Sequence, residues 1–148
     1  MKVKELTDRN IVDQFSHVRI DMFKNIGEMD VLVLKALNDL AKEAEARYNW
    51  LHVINSDYRP NDDGQHGIGN AIDFVFFKKK PGDVPVIDQF IFVVGFGAFR
   101  RVGLYPHWNA PGLHGDIKDE TLYWWQDKTG KYLYGYSPAE IITWRVPA

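Results

Sequence analysis

The sequence predicts an α+β domain, a small antiparallel sheet flanked by helices, on three observations. One long stretch carries apolar residues at helical spacing, several short stretches alternate apolar and polar, and turn-forming clusters separate them. The helical stretch runs from about Glu28 to Tyr48. Val33, Leu34, Leu37, Leu40, Ala41, Ala44 and Tyr48 recur on one face, Lys42, Glu43, Glu45 and Arg47 fill the other, and Asp30 is placed to cap its start. Before it, Val18, Ile20 and Met22 alternate with His17, Arg19 and Asp21, which predicts a short strand.

Leu51 to Ile54 reads as a strand ending at the polar cluster Asn55-Ser56-Asp57, and a Pro/Asn/Asp/Gly-rich loop covers Tyr58 to Asn70. A loop of that length inside a small domain is usually functional. Ala71 to Phe77 is a strand with Ile72, Phe74 and Phe76 on one face and Ala71, Asp73 and Val75 on the other. Val86 to Phe99 predicts a second helix, loosened near Gly95 and Gly97. Val102 to Tyr105 and Leu113 to Ile117 are short strands either side of a Pro/Asn/Gly turn. Trp124-Trp125 and Tyr132-Leu133-Tyr134 flank Asp127-Lys128-Thr129-Gly130 as a hairpin. Ser137-Pro138-Ala139-Glu140 has the form of a helix start.

Composition narrows the function. The 148 residues, with no repeat or linker, make one domain, 1–148, and 45% hydrophobic content excludes disorder. A net charge of -2 with interspersed signs argues against a nucleic-acid partner, and Lys78-Lys79-Lys80 reads as a solvated loop. The absence of cysteine removes disulfides, thiolate zinc sites and thiol nucleophiles. No secretory leader is visible at the start. The most apolar stretch, Val84 to Phe99, is too short and interrupted to span a membrane, so no membrane partner is expected.

The chemistry concentrates between Ser56 and Asp73. His66 closes the loop and Asp73 lies on the next strand, seven residues on, with Gly67 and Gly69 between them to let the chain turn. An aspartate among Ala, Ile, Phe and Val is costly unless a positive charge meets it, and a metal ion would do so. Imidazole and carboxylate suit zinc, whose catalytic sites use three protein ligands and leave a position open.

These residues resemble the signature of the zinc D-alanyl-D-alanine carboxypeptidase and endopeptidase family, which shares its fold with the hedgehog signalling domain. The family pattern is a Ser-x-Tyr-Arg-like segment, then His-x-x-Gly-x-Ala-x-Asp, then a distant His. Here the pieces are Ser56, Tyr58 and Arg59, then His66, Gly69, Ala71 and Asp73, then His114 in Leu113-His114-Gly115-Asp116. The similarity runs from the helix before Leu51 to about Trp125. It implies a hedgehog/DD-peptidase-like fold, zinc held by His66, Asp73 and His114, and hydrolysis of amide bonds in peptidoglycan stem peptides. A metal there polarises the scissile carbonyl and lowers the pKa of a coordinated water to about 7.

Arg59 is suited to a substrate carboxylate, Tyr105 to an oxyanion, and Ser56 and Gln65 to orienting the loop or touching the substrate. Several branches of the family carry an acid or His two or three residues before the last ligand, where this chain has Gly112 and Pro111. Asp116 is then either the general base or the acceptor that orients an imidazole, with His107 next in line as base. The aromatic residues are expected mostly to pack, with Trp124 or Trp125 edging the cleft as the lesser alternative. His17 and His52 are read as surface or satisfied core residues, Asp62 and Asp63 as solvated.

The resemblance further implies a monomer made in the cytoplasm that reaches the cell wall after release, as bacteriophage endolysins do. Two alternatives stand beside it: a metal-holding binding module of the same fold, and a dipeptidase acting on free D-alanyl-D-alanine in a more enclosed pocket.

Overall fold

The computed structural model describes residues 1–7, 11 and 13–142. Helix α1 spans Val31–Tyr48, starting where Asp30 accepts the Leu32 N–H at 2.8 Å and ending at Asn49, left-handed at φ 59°. Its buried stripe contains Val33, Leu34, Leu37, Leu40, Ala41 and Ala44, the face its periodicity predicts.

Six strands form one sheet: β1 (Leu51–Ser56), β2 (Ala71–Phe77), β3 (Arg101–Tyr105), β4 (Gly112–Asp116), β5 (Leu122–Gln126) and β6 (Tyr132–Gly135), in the order β1-β2-β4-β3-β5-β6. All neighbours are antiparallel except β3 and β5, which run parallel, so the sheet is larger and more mixed than expected. Helix α2 (Val86–Phe96) stops at Gly97, left-handed at φ 77°, three residues short of the predicted Phe99. A short α3 (Pro138–Ile142) follows Ser137, whose hydroxyl receives the Glu140 N–H at 3.3 Å.

The sheet's two faces differ. Ile72, Phe74, Phe76, Val102, Leu104 and Leu113 join Leu34, Leu37, Leu40, Phe90 and Val93 in one buried core. Each fully buried side chain of this kind contributes about 1.5–3 kcal/mol. Gln89 of α2 is completely buried, yet its amide accepts the Phe76 N–H and donates to the Phe76 and Val84 carbonyls. It thereby satisfies β2 where the ladder runs out. The opposite face carries Asp73, His114, Gly103, Trp124 and Tyr134. β2 is buried along its whole length, so both of its faces are covered.

The strand predicted at Val18–Met22 does not form; Ile20–Met22 is a 3-10 turn instead. Alternation specifies a face but not a partner. Here the Arg19 N–H goes to the His52 ring nitrogen at 3.2 Å rather than to a strand.

Candidate metal centre

The sheet register assembles the site. Ser56 pairs with Asp73 across a bulge in β1, Asp73 with His114, His114 with Gly103, Gly103 with Trp124, and Trp124 with Tyr134. One cross-strand row therefore runs through all six strands, with its side chains on the face away from the core.

His66 arrives from outside the sheet, on a 3-10 turn at Gln65–Ile68. That turn closes at Gly69, φ 75°, where an added Cβ would lie 2.1 Å from the Glu28 carbonyl oxygen, so only glycine fits. The Gly69 carbonyl accepts the Asp30 N–H at 2.9 Å, fastening the turn to the start of α1. The Arg59 N–H donates to the His66 carbonyl at 3.1 Å.

The three expected ligands meet. His66 Nε2 lies 3.2 Å and His114 Nδ1 3.0 Å from Asp73 Oδ1, and one ligand atom from each residue lies within 4.8 Å of the others. Each imidazole is held by its other nitrogen. His66 Nδ1 donates to the Asp57 carbonyl at 2.8 Å, and His114 Nε2 donates to Asp116 Oδ2 at 2.8 Å. With those nitrogens protonated, neutral rings aim their lone pairs at the same buried carboxylate. Three electron-rich atoms facing one another require a positive charge, as protons or as a cation.

The donor set fits a metal. Two imidazole nitrogens and a carboxylate oxygen are zinc's usual hard-to-borderline ligands, and their separations approach the roughly 3.3 Å edge of a tetrahedron with bonds of about 2.0–2.1 Å. Without an ion, protons take over. Burial alone would raise the Asp73 carboxyl, but hydrogen bonds from His114 and His66 outweigh it and hold it at about 2. Burial likewise disfavours charge on His114, and Asp116 and Asp73 outweigh it, raising its pKa.

Asp116 contacts the far nitrogen of the His114 ring. It is fully buried, and Arg101 clamps it with Nε at 2.9 Å from Oδ1 and Nη2 at 2.7 Å from Oδ2. The Lys118 N–H donates to Oδ1 at 3.1 Å, and His114 takes Oδ2. Both oxygens are committed, on the side of the imidazole away from Asp73. That geometry suits the orienting role, with both carboxylate oxygens already accepting hydrogen bonds. Position 112 cannot host an acid in this packing, because a Cβ on Gly112 would sit 2.9 Å from both Asn55 Nδ2 and the Phe74 carbonyl oxygen.

The chain matches no protein-family model, no curated protein and no solved structure.

The remaining expected residues are placed as follows. Ser56 is beside Asp73 in the register. Tyr105 is buried on the same face, and its hydroxyl accepts the Trp124 indole N–H at 2.7 Å. Burial pushes the Tyr105 phenol up despite that bond, so it stays protonated. Arg59 is half-exposed, with Nε 3.4 Å from Asp62 Oδ2. Gln65 is half-buried in the His66 turn, and His107 is exposed on the loop between β3 and β4.

Sequence reasoning missed the Asp57 carbonyl and Arg101, and took Gly103 only as part of the Gly103-Leu104-Tyr105 segment leading to His114. The Trp124 ring lies 5.3 Å from the His114 ring, in space that exists because a Cβ on Gly103 would fall 2.3 Å from the indole nitrogen. Trp125 points to the core face. Among the described residues no helix is long and apolar enough to cross a membrane.

Proposed function

We propose that this chain is a zinc-dependent peptidase of hedgehog/DD-peptidase-like fold that hydrolyses amide bonds in peptidoglycan stem peptides. The observation that carries the reading is the convergence of His66 Nε2, Asp73 Oδ1 and His114 Nδ1, with each imidazole's far nitrogen already bonded. The motif resemblance from Ser56 to His114 supports the substrate class. A metal ion bound there supplies Lewis acidity and an activated water.

The protein's own groups do the rest. The Asp57 carbonyl and Asp116 fix ring orientation and tautomer, which prevents the ligands from rotating out of position. The Tyr105 hydroxyl accepts the Trp124 indole N–H, and its own O–H would turn from Tyr132 to donate to developing negative charge on the substrate carbonyl. Arg59, half-exposed on the ligand loop, exchanges Asp62 for a substrate carboxylate. With Asp116 committed, His107 takes the proton-accepting role in this reading.

A second reading is a metal-holding binding module. The observation favouring it is the crowding at Gly112 together with the commitment of Asp116. Mass spectrometry of muropeptides, after incubating purified peptidoglycan with the zinc-loaded protein or a chelated control, separates the two. Chelator-sensitive fragments support the peptidase, and their masses name the bond. Intact wall from several chemotypes, with zinc content verified, overturns it in favour of the module.

A further inference from the structure

Beside the triad, on the same sheet face, an open cleft of about 250 Å³ is lined by Arg101, Tyr105, Leu122, Trp124, Tyr132 and Tyr134. We propose that this cleft is a saccharide subsite that receives a neutral pyranose ring. The inference rests on the stem-peptide reading only for which sugar is met, namely the one that carries the peptide.

Three features select that ligand. First, the walls are aromatic and carry hydroxyls. Tyr132 and Tyr134 on β6 are 44% and 50% exposed, with parallel rings (18°) whose centroids lie 5.9 Å apart. Exposed aromatic rings in a concave site combine apolar faces with polar tips, which matches a sugar's C–H faces and hydroxyl rim. Second, among the described residues the charged group lining the cleft is already paired. The Arg101 guanidinium gives Nε and Nη2 to Asp116 and Nη1 to Glu120 at 2.8 Å. Among the described residues lining the cleft an anionic polymer would find no free cation, whereas a neutral ring loses nothing. A sugar acid whose carboxyl is consumed in the amide to a stem peptide is neutral at that position. Third, the cleft adjoins the candidate metal centre through Trp124, which forms its wall and also packs on His114. A substrate with a peptide at the triad and its sugar in the cleft spans one row of the sheet.

The test uses the full-length zinc-loaded protein and a neutral probe, the trimer of N-acetylglucosamine. Two-dimensional nitrogen–proton NMR follows the Trp124 indole N–H, with oligogalacturonate as anionic and trialanine as peptide comparison. The expected result is a saturable, millimolar shift of the Trp124 signal with the neutral sugar alone. It should weaken about tenfold in Tyr134→Ala and be preserved in Tyr134→Phe, with zinc content unchanged in both. No movement of Trp124, an equal or stronger response to the anionic oligomer or the peptide, or full affinity in both Tyr132→Ala and Tyr134→Ala overturns the proposal. Binding is read without turnover, so a failed digestion of peptidoglycan and a failed sugar titration remain separate results.

Discussion

Asp116→Asn tests the assignment of that residue most directly. The substitution keeps volume and removes charge from a group whose two oxygens face only donors: Arg101 Nε and Nη2, the Lys118 N–H and His114 Nε2. An amide cannot satisfy them. With its NH2 at the Oδ1 position it opposes Arg101 and Lys118; flipped, it opposes Arg101 and His114. In the flipped state His114 can relieve the clash by moving its proton to Nδ1, the nitrogen that faces Asp73. Breaking a buried ion pair by altering one partner costs about 3–5 kcal/mol. Arg101 keeps its contact to the exposed Glu120, so a loss of about 3 kcal/mol is expected. Loss of an outer partner of a metal-bound imidazole lowers metal affinity about 10–100-fold. Urea denaturation followed by tryptophan fluorescence, and zinc titration against a competing chelator, measure the two effects. If Asp116 orients His114, turnover at saturating zinc recovers most of its original value. Unchanged zinc affinity and stability, or turnover abolished at full zinc occupancy, would refute the reasoning and return Asp116 to the base role.

His114→Ala should abolish stoichiometric zinc binding, because it removes one of the three converging donors; full retention of zinc in elemental analysis would remove His114 from the ligand set. Gly103→Ala places a methyl carbon 2.3 Å from the Trp124 indole nitrogen and should cost about 1–3 kcal/mol, with a changed near-ultraviolet circular dichroism spectrum. Stability within about 0.5 kcal/mol of the parent would show that Trp124 has room to move. Buried His52, which accepts the Arg19 N–H, has its pKa lowered from 6.5 to about 4, first by burial and then by the Arg19 charge. The unfolded chain therefore binds the extra proton between these values. The stabilisation is complete above about pH 6.5 and is lost as pH falls towards 4, by about 3 kcal/mol in all. His52→Gln should flatten that part of the stability–pH curve in urea titrations, and an unchanged slope would exonerate His52.

How far the sequence reached depended on whether a feature was local. The stripe of α1, the alternation of β2, the hairpin of β5 and β6, and the Ser137 cap each rest on neighbouring residues, and each is visible in the chain as written. The juxtaposition of His66, Asp73 and His114 was legible too, because a motif encodes its spacing. Pairing was not. Nothing near Val18 says that Arg19 will bond to a histidine instead of a strand, and nothing near Arg101 says that β3 and β5 lie parallel. The role of Asp116 turned on Arg101, its cross-strand neighbour fifteen residues earlier in the chain. A buried carboxylate on a strand announces that it needs a cation, but only the register says which one.

That register also places the candidate metal centre and the aromatic cleft on one face of the sheet. Strand side chains alternate with period two, so a slip of one residue between β4 and β3 would turn Trp124 and Tyr134 to the opposite face from His114. Gly103 stands between them in the row, and its missing side chain is what allows the Trp124 indole to reach both His114 and Tyr105. A glycine in the middle of a strand normally weakens it by about 0.5–1 kcal/mol relative to alanine. Here that weakness is offset by a tryptophan that packs on His114, a candidate metal ligand, on one side and walls the aromatic cleft on the other. A sheet selected for stability alone has no reason to fill this position so. The arrangement suits the proposed role: a rigid candidate ion site with an aromatic wall beside it is the geometry that action on a peptide attached to a sugar would need.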